Sequence, residues 1–272
     1  MEQFIKLQKE HKWLYLLSFV LTCYALPVSL WLKLKQLIRV LGAERETVWN
    51  TGQFRTVLLE KYIYQNRDLL FAVILMAILS GYAMFSVLHE KDRQHEITKQ
   101  HFTKQFFAKK KQYFIRSFTS SLLIYWIPVF VNIVISFVVA AGYQCLHGEV
   151  VLGYCKAAVM YMVYYVLVYF VIVTAICLTG TFGASVFCFF VFGILELFLS
   201  SGPLYSYMVG HPVTRVVSCA VIAGLLGVLA CWILLKRPEN CAGKGIVFPA
   251  VKKVIAVFMA GMAGYFIWSV MK

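Results

Sequence analysis

Residues 89–116, HEKDRQHEITKQHFTKQFFAKKKQYFIR, are the most basic stretch of the chain and stand between two runs, 69–88 and 117–144, that hold no charge. Eight Lys or Arg (Lys91, Arg93, Lys99, Lys104, Lys109, Lys110, Lys111, Arg116) outnumber three acids (Glu90, Asp92, Glu96). Short loops this rich in Lys and Arg stay on the cytoplasmic side during insertion. The stretch is therefore expected to be an inside loop that fixes the orientation of everything around it. Its length, charge and aromatic residues also make it a candidate docking surface.

The flanking runs set the fold class. The 272 residues are 61% hydrophobic and 14% charged, with a mean hydropathy of +0.76. A soluble domain carries roughly 25% charged residues, so this chain belongs in lipid. A formal charge of +14 suggests nucleic acid in a soluble protein. Here the charge sits in loops, and the inside bias with anionic headgroups explains it without a nucleic-acid partner.

Hydropathy predicts an all-α, polytopic transmembrane bundle in one domain, with about seven spans near 13–32, 69–88, 117–144, 157–178, 182–200, 216–235 and 254–270. The N-terminus is expected in the cytoplasm and the C-terminus outside. The first run is about 20 residues long, spanning length rather than a signal peptide's shorter core. Pro27 within it predicts a kink. Segment 33–68 would then lie outside despite its seven Lys or Arg. Leu34, Leu37, Ile38 and Leu41 give it an amphipathic pattern, so the first helix is expected to continue past the bilayer or lie along it. The opposite topology would expose the stronger basic stretch at 89–116 and is rejected. Residues 145–153 hold Glu149 and no Lys or Arg, which fits an outside turn. The Gly/Thr-rich segment LTGTFGAS, 178–185, splits an uncharged run too long for one helix.

Few residues suggest chemistry. Glu196 is the one acid inside an apolar run, about four residues from the outer end of the fifth span. Intramembrane charge is expensive, so Glu196 is either a cavity-facing carboxylate or one held near the headgroups. Asn132 is a weaker cavity candidate. Tyr161, Tyr165 and Tyr169 recur every four residues and share a helix face; that face lines a cavity or, more commonly, packs on neighbouring helices. His89, His95 and His101 are spaced by six, unlike the i, i+4 spacing of a helical metal site, and no metal is expected. Cys145 and Cys155 flank one short turn, and pairing between them stays open. Phosphate-binding glycine loops, HExxH and GxSxG are absent, so no enzyme activity and no bound cofactor are expected of this chain. On 89–116, Phe102, Phe106, Phe107, Tyr113 and Phe114 fall near one side of a helix, with most lysines elsewhere. That pattern suits an interfacial helix on anionic lipid, a coupling element on a cytoplasmic partner, or both.

Several short motifs resemble the bacterial type 2 ABC transporter permeases of the Gram-positive peptide-export or antimicrobial-resistance kind. They are Val87-Leu88-His89 after the second span, the AKKKQYF stretch at 108–114, Trp126-Ile127-Pro128, Leu178-Thr179-Gly180, and RPENCAGK at 237–244. They follow in family order along nearly the whole chain. Lys104-Gln105-Phe106-Phe107 stands where the family carries Ser-Leu-Pro. The resemblance implies a plasma-membrane subunit of an exporter for a peptide, drug or lipid-like substrate. It implies an ATP-binding partner subunit that holds ATP and magnesium. It also implies a second permease copy or a related permease. The partner would dock on Lys104, Phe106, Phe107, Lys109, Lys110, Lys111, Tyr113 and Phe114. Longer members continue past a seventh helix, which fits the ending at Lys272. The competing expectation is an accessory or sensor membrane protein that binds a peptide or lipid without transport.

Overall fold

The computed structural model describes residues 12–41, 66–97, 103–200, 212–237, 245–249, 252–253 and 255–256. The described residues form helices α1 (Lys12–Cys23), α2 (Ser29–Leu41), α3 (Arg67–Ile97), α4 (Thr103–Gly142), α5 (Gly148–Leu178), α6 (Phe182–Ser200) and α7 (Pro212–Lys236), with a π-helical turn, Tyr24–Val28, joining α1 to α2. Among the described residues, five stretches are long and apolar enough to cross a membrane: Lys12–Gln36, Arg67–Ser86, Lys111–Gly142, Gly148–Leu178 and Val216–Lys236. The expected seventh span, 254–270, lies almost wholly outside the described residues.

Pro27 sits inside the π turn. It has no N–H to give, and the widened turn absorbs the mismatch so that helix resumes at Ser29. The first helix thus continues through the π turn to Leu41, well past its apolar part.

The segment expected as a basic loop is largely helix. α3 runs on to Ile97, and α4 begins at Thr103, upstream of its apolar part. The 40 residues of α4 span about 60 Å at 1.5 Å each, against a hydrocarbon core of about 30 Å. Both helices therefore carry helical arms beyond their apolar lengths, and Lys91, Arg93, Lys104, Lys109 and Lys110 sit on those arms.

The turn expected at 145–153 is shorter than the sequence suggests. Helix α5 starts at Gly148, and residues 145–147 are its only non-helical, non-turn approach. Gln144 closes α4 in a left-handed conformation, φ 58°. Its N–H donates to the Ala141 carbonyl at 2.9 Å, and the Cys145 N–H donates to that of Ala140 at 2.8 Å. This pair of bonds is a Schellman cap, with Gln where Gly is more usual.

Helix α5 is the centre of the bundle and packs on α3, α6 and α7, while α1 packs on α4. Burial agrees: 61% of the apolar window of α5 is buried, against 22% for α7. The outward face of α7, with Val221, Leu225, Val228 and Trp232, is exposed and apolar, as a lipid-facing helix requires. Lys236 lies 4.0 Å from the Trp232 ring centroid at one end of α7, an aromatic–cation pairing suited to an interface.

Candidate functional site

The tyrosine face of α5 points into the bundle. Tyr161, Tyr165 and Tyr169 are all buried, and each is engaged. The Tyr161 hydroxyl donates to the Asn66 carbonyl at 2.9 Å. The Tyr165 ring lies flat on Tyr125, with centroids 4.3 Å apart and planes 8° apart. Its hydroxyl is 2.9 Å from the Ser121 carbonyl, 2.5 Å from Ser121 Oγ and 3.1 Å from Ser80 Oγ. With one proton to give, it donates to one of these and accepts from the hydroxyls. The Tyr169 hydroxyl points at Met84 Sδ, 3.8 Å away. One helix face thus ties α3 and α4 to α5 through neutral hydroxyls.

Asn132 is also engaged. Its Nδ2 donates to Thr22 Oγ1 at 2.7 Å and to the Phe19 carbonyl at 3.1 Å. It therefore stitches α4 to α1 within the bundle. Glu196 belongs to α6, but its side chain lies outside the described residues.

The docking set divides. Lys104, Phe106, Phe107, Lys109 and Lys110 lie on the first turns of α4, with side chains outside the described residues. Lys111 is exposed. Phe114 is only 7% exposed, and its ring stacks on Phe170 of α5 with centroids 6.3 Å apart. It packs in the core in this arrangement. Tyr113 is half-buried, and its hydroxyl donates to the Met84 carbonyl at 3.3 Å. The helical period explains the burial: Phe114 and Phe118 are one turn apart, and both rings meet Phe170.

Three features were not foreseen. Asn66 accepts the Leu69 N–H on Oδ1 at 2.9 Å, capping α3, while its Nδ2 donates to the Ala25 carbonyl in the π turn at 2.7 Å. An Asn just before a helix is a readable cap signal, but the partner in the π turn is not. Ser80, Ser117, Ser120 and Ser121 gather between α3 and α4 around a crevice with room for about one water molecule. The grouping of Ser117, Ser120 and Ser121 on one face was there to be seen.

The third feature lies at the C-terminus of α5. Arg237, buried after the last turn of α7, donates through Nη1 to the Ile176 carbonyl at 2.9 Å. The Val247 N–H donates to the Leu178 carbonyl at 2.9 Å, and Thr179 Oγ1 to that of Ala175 at 2.9 Å. A cation and two further donors thus meet the negative end of the α5 dipole. They fasten the segment after α7 to the α5–α6 turn, and Ile255 packs there on Ala175 and Cys188.

Among the described residues, no cluster of His, Cys, Asp and Glu could hold a metal ion. Cys145 and Cys155 are both free thiols. Comparison with known proteins finds no family model, no curated protein and no solved structure that matches the chain.

Proposed function

We propose that this chain is the membrane-spanning permease subunit of an ABC exporter, moving a peptide, drug or lipid-like substrate with ATP hydrolysed by a separate subunit. The observation that carries the reading is the pair of basic helical arms. α3 and α4 leave the apolar zone as helix, not as loose chain, and bear the densest Lys/Arg run. A rigid arm transmits a push from a docked partner into the bundle, which a flexible loop does not. Both arms belong to helices that Tyr165 links to the central α5. The positive-inside rule turns the arms toward the cytoplasm, where ATP is. The short motifs at 87–89, 108–114, 126–128, 178–180 and 237–244 support the same reading.

On this proposal the protein is a multi-pass plasma-membrane protein with a cytoplasmic N-terminus. It pairs with an ATP-binding subunit that holds ATP and magnesium, and with a second permease. The lysines of the α4 arm make the contact, while Phe114 packs in the bundle. Co-purification from native membranes tests it: an ATP-binding subunit accompanies the wild-type chain and is lost from a Lys109→Glu/Lys110→Glu/Lys111→Glu variant that still inserts. A wild-type chain that never retains an ATPase contradicts the proposal.

One observation favours the second reading, an accessory or sensor protein. The tyrosine face is fully engaged, and the crevice beside it has room for about one water molecule. ATP-dependent efflux from vesicles containing the chain and its partner separates the two readings.

A further inference from the structure

We propose that the crevice between α3 and α4 is a binding site for a single water molecule, held by Ser120 and its neighbouring serines. The crevice lies within the apolar lengths of both helices and is lined by Ser80, Ser117, Ser120 and Ser121 with three apolar side chains. Its dimensions match one water.

The four hydroxyls are not equivalent. Ser80 and Ser121 are taken up around the Tyr165 hydroxyl. Ser117 is buried and lines the same crevice. Ser120 is 2% exposed, and its Oγ has no protein partner. A hydroxyl in hydrocarbon depth seeks a hydrogen bond, because no bulk solvent supplies one. Serine hydroxyls each have one proton and two lone pairs, so the neighbouring serines retain capacity for another contact. A buried water needs two to four polar partners, and Ser120 with two of its neighbours provides them. The lining carries no charge, which suits a neutral ligand and excludes a bare ion. The site stands apart from the transport proposal and does not depend on it.

Two measurements on the full chain in lipid nanodiscs test it. The first is the thermal unfolding midpoint of Ser120→Ala. Removing a water-bonded hydroxyl strands the water and lowers the midpoint by roughly 2 °C. Removing a dry, unpaired hydroxyl leaves the midpoint unchanged or raises it. The second is a high-resolution experimental map of the wild-type chain, which decides alone if Ser120→Ala does not fold. An isolated peak within hydrogen-bond distance of Ser120 Oγ and a second serine is the expected result. An Ala variant as stable as wild type, an empty crevice, or density continuing out as a lipid or detergent chain overturns the proposal.

Discussion

The side chain of Asn66 donates to the backbone carbonyl of Ala25 at 2.7 Å, across 41 residues of sequence. Ala25 belongs to the π turn around Pro27, where the regular ladder of i→i−4 bonds is disturbed. A buried carbonyl in that turn needs a donor from elsewhere, and the residue that caps α3 supplies it. The π turn in the first helix and the start of the second span are therefore one structural unit. Tyr161, donating to the Asn66 carbonyl, attaches the unit to α5.

Replacing Asn66 separates its two roles. Asn66→Ala loses the cap and the bond to Ala25, and is expected to cost about 1–2 kcal/mol in unfolding free energy. Asn66→Asp keeps an acceptor for the Leu69 N–H but sets an anion against the Ala25 carbonyl. It is expected to be no more stable than the Ala variant. Chemical denaturation in detergent measures both.

Arg237→Met keeps an apolar stem and removes the donor that meets the Ile176 carbonyl. The expected effect is local. The Val247 amide, bonded to Leu178 at 2.9 Å, exchanges its hydrogen at least tenfold faster, corresponding to about 1.4 kcal/mol of lost protection. Exchange in the middle of α5 stays as in wild type. Residue-resolved hydrogen exchange by mass spectrometry reads the difference.

Two glycines of α7 make opposite predictions. A Cβ added at Gly227 would lie 2.9 Å from Phe170 Cζ, with two more ring carbons within 3.2 Å, whereas one at Gly224 meets nothing within 4 Å. Gly227→Ala forces α7 away from the central helix and is expected to destabilise by about 1–3 kcal/mol. Gly224→Ala gains helix propensity and is expected to be neutral or to stabilise by up to about 1 kcal/mol. The unfolding midpoints should move in opposite directions or differ clearly in size.

Thiol labelling separates Cys145 from Cys155. Cys155 is exposed, whereas Cys145 is buried and its Sγ donates to the Tyr143 carbonyl at 3.2 Å. Burial pushes the Cys145 thiol above its ordinary range, so it stays protonated as pH rises through that range. Because the thiolate is the reactive form, Cys145 gains reactivity only at higher pH than an ordinary thiol. Maleimide uptake at neutral pH should fall in Cys155→Ser and change little in Cys145→Ser.

Hydropathy alone locates the apolar cores of the helices, because lipid makes nearly every core residue apolar. It misjudges the ends. Glu149 and Lys156 make residues 145–156 read as turn and approach, yet α5 begins at Gly148; a helix can outrun its apolar part and carry charge there. The lysines beside Phe114 argue for the surface, while its place one turn from Phe118 turns it to the core. The tyrosine face is visible as a period of four. Its partners, Ser80 and Ser121, come from other helices, and their pairing is a tertiary fact that no spacing encodes. Gly224 and Gly227 are indistinguishable in sequence, and only the approach of Phe170 separates them.

The central claim is that the basic arms of α3 and α4 face the cell interior, within reach of an ATP-hydrolysing partner. Its most direct test is labelling of a Lys109→Cys variant in a Cys155→Ser background with a membrane-impermeant maleimide. The account predicts no modification of the introduced thiol in intact cells and full modification once the membrane is permeabilised. Modification from outside intact cells, at the rate seen after permeabilisation, would contradict it.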